Sequence, residues 1–140
     1  MKVTAKSQEN LKVEVLARDH KFYVEQPIPG MSEGNGPTPM EVLYGSLASC
    51  KIIIMKMFAM QRGWALVDVQ VNIEYVPATE KDMDVENLAS SGKKTLVHVE
   101  IKLDGDLDQE QREILVWVAK KCPVHLTMQG EVLINTILKD

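Results

Sequence analysis

Residues 38–63 read TPMEVLYGSLASCKIIIMKMFAMQRG, and their reading decides the fold. Thr38 is placed to cap a helix N-terminus, and Pro39 falls at the first helical position, where its missing N–H costs nothing. Glu41 completes a T-x-x-E capping box, and Gly63 supplies the stop signal, so one helix is expected from the Thr38 cap to about Arg62. Its apolar side chains (Val42, Leu43, Leu47, Ile52, Ile53, Ile54, Met55, Met57, Phe58, Met60) go nearly all the way round. A helix of that kind must be covered on most sides, more than two small sheets of one chain readily supply, so a partner subunit is expected. Glu41, Lys51 and Lys56, with Ser46 and Ser49, interrupt the apolar stretch from Met40 to Met60. A bilayer span wants about 20 largely uncharged residues, so the pattern favours a helix buried in protein.

Upstream, Leu11, Val13, Val15 and Ala17 alternate with Lys12, Glu14 and Arg18. Phe22 and Val24 follow a polar Arg18-Asp19-His20-Lys21 turn, which predicts a hairpin. Residues 27–39 hold four of the six prolines and three of the eight glycines, the composition of a loop. Downstream, Val67, Val69, Val71, Ile73 and Tyr75 alternate with polar residues, as do Val97, Val99, Ile101 and Leu103, predicting two half-solvated antiparallel strands. Between them, residues 77–94 are polar and charged and read as a mobile loop with room for a helical turn. After an Asp104-Gly105 turn, Asp106 or Asp108 caps a second helix whose face carries Ile114, Val118 and Cys122, and Pro123 ends or kinks it. A final strand is expected from Glu131 to Leu138. The order ββ-α-ββ-α-β, with two principal helices and small antiparallel sheets, is that of an α+β fold rather than a parallel wind.

At 140 residues and 15.7 kDa the chain has room for a single domain, residues 1–140. A net charge of -4 and a pI near 5.4 are the wrong sign for a chain that lives on phosphate backbones, which excludes nucleic acid as the expected partner. Hydrophobic residues at 45% and charged residues at 26% exclude the disordered and fibrous classes. The opening from Met1 and Lys2 lacks the apolar core of a signal peptide, so a cytoplasmic, reducing location is expected. Two cysteines are too few for a disulfide scaffold, so only their settings can speak.

Cys50 lies mid-helix beside the small residues Gly45, Ser46 and Ser49, which let another helix or a ligand approach. Free cysteine is among the most buried residue types, so a small structural hydrophobe is the plainest role for Cys50 and for Cys122. At a helix C-terminus the dipole disfavours a Cys122 thiolate, unless Pro123 opens a new helical turn and reverses that setting. The cap explains Glu41 without catalysis, and nine residues of helix put about 13 Å of rise between it and Cys50. His98 falls on the polar face of its strand and His20 in a turn, both read as solvated. Cys122-Pro123-Val124-His125 has C-x-x-H spacing, which with Cys50 and a second histidine could build zinc ligation, but one such pair is a weak signal. No dinucleotide, P-loop or H-E-x-x-H pattern is present, so no cofactor or metal is expected. The residues alone describe an α+β domain, oligomeric, with two thiols of undecided role.

Gly36-Pro37-Thr38-Pro39-Met40-Glu41-Val42-Leu43, then Gly45-Ser46-Leu47-Ala48-Ser49-Cys50, then Ala119-Lys120-Lys121-Cys122-Pro123-Val124-His125, resemble the paired signatures of the OsmC/Ohr family. The resemblance extends over nearly the whole chain in element order. It implies an intertwined homodimer around two long central helices, and thiol-dependent reduction of organic hydroperoxides. Carried over, Cys50 would be the peroxidatic thiolate that becomes a sulfenic acid. Cys122 would form a disulfide with it, and an external dithiol such as a lipoyl group would reduce that bond. A free thiol is only a few per cent thiolate at neutral pH, so such chemistry needs a nearby cation and a dry pocket. The resemblance implies an arginine for this, for which Arg18 is the candidate, and a glutamate early in the helix. Counting back from Cys50, that glutamate position holds Met40, with Glu41 one place later, and His125 replaces the small or polar residue usual after C-P-x. A non-enzymatic protein of the same fold, holding a small hydrophobic or sulfur-containing ligand near loop 27–39, is the competing expectation.

Overall fold

The computed structural model describes residues 1–75 and 96–139. The expected polar loop at 77–94 lies outside them. The chain packs as two compact units, Met1–Leu47 and Ala48–Asp140.

The first unit is built on a three-stranded antiparallel sheet, β1 (Val3–Ser7), β2 (Lys12–Ala17) and β3 (His20–Glu25), in that spatial order. The hairpin read from the sequence is β2–β3, and β1 adds a strand to its far edge. Arg18 sits at the β2–β3 turn with φ 55°, a left-handed conformation that lets two residues reverse the chain. The following loop is tied back to the sheet. Asn35 N–H donates to Glu25 Oε2 at 2.9 Å, and Glu25 N–H donates to the Pro37 carbonyl at 3.0 Å. Helix α1 (Pro39–Arg62) then starts as the capping box dictates: Thr38 N–H donates to Glu41 Oε2 at 2.7 Å and Glu41 N–H to Thr38 Oγ1 at 3.3 Å.

The second unit takes the rest of α1, a long antiparallel hairpin of β4 (Ala65–Tyr75) and β5 (Val97–Asp106), and two helices, α2 (Gln109–Ala119) and α3 (Pro123–Gln129). Met55 and Ala59 of α1, Val69 of β4, Leu107, and Leu115 and Ala119 of α2 form its core, with Ile52, Phe58, Trp64 and Ile101 packed around them. Burying a side chain the size of Met55 or Leu115 stabilises by about 1.5–3 kcal/mol each, which holds α1 and α2 against the sheet. α1 has the length and apolar composition to cross a bilayer, but here it contributes Met55 and Ala59 to a protein core.

Three expectations are corrected. Asp104-Gly105 is not a turn: β5 runs on to Asp106, with Gly105 opposite Leu66 beside a register shift. There φ is +144°, and a Cβ would run into the Ala65 carbonyl oxygen, so only glycine fits. Cys122 does not extend the α2 face. The helix ends at Ala119, and Pro123 starts a separate α3 where a short connection was expected. The final strand at 131–138 does not form within this chain. Residues 131–139 have no regular structure, because among the described residues no strand edge pairs with them.

Candidate functional site

Asp108 caps α2, its Oδ1 accepting from Gln111 N–H at 2.8 Å while Gln111 Oε1 accepts from Asp108 N–H at 3.0 Å. Arg112 fixes the same helix to the end of β5 by donating to the carbonyls of Leu103, Gly105 and Leu107 at 2.8, 3.0 and 3.2 Å. With α2 so placed, its C-terminus is cut short. Lys120 and Lys121 N–H groups turn back onto Trp117 and Val118, and Cys122 adopts extended backbone before Pro123. The Cys122 side chain is thereby the N-cap of α3, accepting from His125 N–H at 3.3 Å, and it is fully buried.

Cys50 and Lys51 arrive from α1, which Met55 and Ala59 anchor one and two turns further on. The Cys50 thiol lies within hydrogen-bonding reach of Cys122, while Cys50 itself is only half-buried. Two sulfurs 72 positions apart in sequence are therefore near neighbours in the fold. Burial pushes the Cys122 thiol up. The hydrogen bond with Cys50 and the negative charge of its sulfur push the same way, against the His125 N–H and the positive charge of Lys51. Cys122 is thus the fully buried member of the pair. Cys50 is the member left open to a reactant.

Lys51 is 3% exposed, and among the described residues it is the buried charged side chain. Its Nζ donates to the Ala119 carbonyl at 3.0 Å and lies 2.8 Å from His125 Nδ1. Burial lowers Lys51 from its ordinary 10.5, and charge on Cys122 and Cys50 works against that fall. Burial, then repulsion from Lys51, lowers His125 from its ordinary 6.5. An ammonium can only donate, so with Lys51 charged Nδ1 is the acceptor and the imidazole proton sits on Nε2.

The structure therefore brings Cys50 and Cys122 together. Arg18 and Glu41 belong to the first unit, Arg18 at a hairpin turn and Glu41 with its carboxylate engaged in the α1 cap. His125 turns its ring to an ammonium instead of to a metal cluster, and among the described residues no three of His, Cys, Asp and Glu gather to hold one. A cavity of about 580 Å³ in the first unit is lined by residues 26–33 of the loop alone. Sequence reasoning missed Lys51, which it used only as a charge interrupting an apolar helix. A lysine on a helix that is apolar nearly all round signals a need for buried partners, but its partners Ala119 and His125 are too distant in sequence to be named from it.

The family model described as OsmC-like protein matches residues 32–137 of the chain. No curated protein matches it. Among solved structures, an OsmC-like protein from Mycoplasma pneumoniae superposes with a TM-score of 0.74 at 17% identity, covering 92% of this chain and 86% of that one. An organic hydroperoxide resistance protein, OsmC, from Legionella pneumophila gives 0.65 at 22%, covering 93% and 90%. The organic hydroperoxide resistance protein OhrB of Bacillus subtilis gives 0.60 at 20%, covering 92% and 90%.

Proposed function

The chain belongs to the OsmC-like family, and from that premise we propose that it is a thiol-dependent peroxidase that reduces organic hydroperoxides through Cys50 and Cys122. The observation that carries this is the meeting of the two thiols, one half-buried and one fully buried. The Cys50 thiolate attacks the terminal oxygen of R–O–OH. An S–O bond forms, the O–O bond breaks, sulfur loses two electrons, and the alkoxide leaves and takes a proton as the alcohol. The Cys122 sulfur then attacks the sulfenic sulfur, forming the disulfide and releasing the oxygen as water. An external dithiol, for which a lipoyl group is the candidate, gives its two hydrogens to restore both thiols and leaves as a disulfide.

In this proposal the protein works in a reducing cytosol as a homodimer. Support for the dimer comes from the apolar α1 face left exposed in one chain, with Ile53 at 58% and Met57 at 54%, and from the apolar tail bearing Leu133, Ile134, Ile137 and Leu138. Arg18 and Glu41 belong to the proposal as the residues the resemblance assigns to activating the thiol. Steady consumption of an alkyl hydroperoxide with a reduced lipoyl compound tests the activity. Cys50→Ser should abolish it, and Cys122→Ser should stop after one turnover with a sulfenic acid that a dimedone probe captures. Undiminished consumption in Cys50→Ser would overturn the assignment. Arg18→Gln at the wild-type rate would remove that arginine from it.

A further inference from the structure

A thiol pair that must ionise needs a cation, and the second unit holds one where it is least expected. Lys51 follows Cys50 directly on α1, yet its ammonium is buried instead of reaching water. Two of its three N–H groups have protein partners. One is Ala119 O, a carbonyl at the C-terminus of α2 that has no partner within its own helix, where the negative end of the helix dipole favours a cation. The other is His125 Nδ1. His125 is held in turn, since its own N–H donates to Cys122 Sγ. The histidine that meets the ammonium at 2.8 Å is thus the one whose backbone N–H meets Cys122 Sγ at 3.3 Å, which sets the buried ammonium on the segment that carries Cys122. We propose that Lys51 is the cation that sets the ionisation of the Cys50–Cys122 pair, with His125 as the residue that positions it. The inference rests on the thiol-pair reading above and goes beyond it, because it supplies the charge from within residues 48–140 and does not draw on Arg18.

The charged and titratable groups around Lys51 come from each packed element: Cys50 on α1, Cys122 before α3, His125 on α3, and Lys120 after α2. Lys121 adds to the positive field at His125. Of these, Lys51 alone is a buried cation bonded to the segment that carries Cys122. A purely structural lysine capping α2 would make the same two hydrogen bonds. The two roles part on pH: removing a cap lowers stability, whereas removing the cation also moves the pH at which sulfur ionises.

The test is the pH dependence of iodoacetamide alkylation at Cys50 in the reduced full-length protein, read at the Cys50 peptide by mass spectrometry. No peroxide enters the measurement. Lys51→Met should raise the midpoint by about 1 pH unit or more. At neutral pH it should slow alkylation roughly tenfold. Lys51→Arg should restore part of the loss, and His125→Gln should give a smaller shift in the same direction. A folded Lys51→Met protein with an unmoved midpoint overturns the proposal. Should Lys51→Met fail to fold, His125→Gln decides, and an unmoved midpoint there overturns it equally. A protein that ignores hydroperoxides but shows the shift keeps this inference and loses the peroxidase, while the reverse result separates them the other way.

Discussion

Burying an ammonium costs several kcal/mol unless protein groups replace its water, and Lys51 finds such groups in the Ala119 carbonyl and His125 Nδ1. The same contact makes His125 sensitive to acid. Burial and Lys51 depress its folded-state value below 6.5, so the unfolded chain takes up the proton first. Its support for the fold is fully present above 6.5 and is lost as pH falls through the depressed value. Denaturant midpoints should therefore drop on acidification below about 6.5, and His125→Gln should flatten that drop. A wild-type midpoint constant through this window would contradict the assignment of Nδ1 as an acceptor. At the other end of α1, Glu41→Ala should cost about 1 kcal/mol in urea unfolding, whereas Glu41→Gln, which can still close the capping box, should cost less. Equal losses would assign the effect to the carboxylate charge at the helix N-terminus and not to the Thr38–Glu41 hydrogen bond. Glu41 was legible from four residues of sequence because a cap is local. Lys51 was not, because its partners Ala119 and His125 lie 68 and 74 positions away.

The elements divide the same way. The start and stop of α1 were readable, since Thr38, Glu41 and Gly63 act within one turn of themselves. The alternations of β2, β4 and β5 were readable because a half-solvated strand shows period two. β1 escaped notice, being five residues of mostly exposed side chains on a sheet edge. Gly105 was mistaken for a turn because glycine's other use, close approach of a facing strand, depends on Ala65 some 40 positions earlier. Gly105→Ala should therefore destabilise the hairpin by about 2 kcal/mol or more, seen as lost hydrogen-exchange protection along β4 and β5. Unaltered protection would mean that the bulge at Leu66/Asp68 absorbs the added methyl group. The tail at 131–139 has strand-like composition but pairs with no strand among the described residues, because composition sets the propensity of a segment and not whether an edge comes within its reach.

For the molecule as a whole, the exposed apolar face of α1 and the unpaired tail are hydration costs that a second copy would remove. Sedimentation at micromolar concentration should find a dimer, and the double variant Ile53→Glu, Met57→Glu should shift it toward monomer. A wild-type monomer would leave the coverage of α1 unexplained. In the proposed function, the fold serves to bring a sulfur of α1 to a sulfur at the start of α3, so that oxidation of one can be passed to the other. The most direct test treats the reduced protein with one equivalent of an alkyl hydroperoxide, counts free thiols and maps the peptides. The proposed peroxidase cycle predicts loss of both thiols and a single peptide pair joined through Cys50 and Cys122. Survival of both thiols under a large excess of hydroperoxide would contradict it.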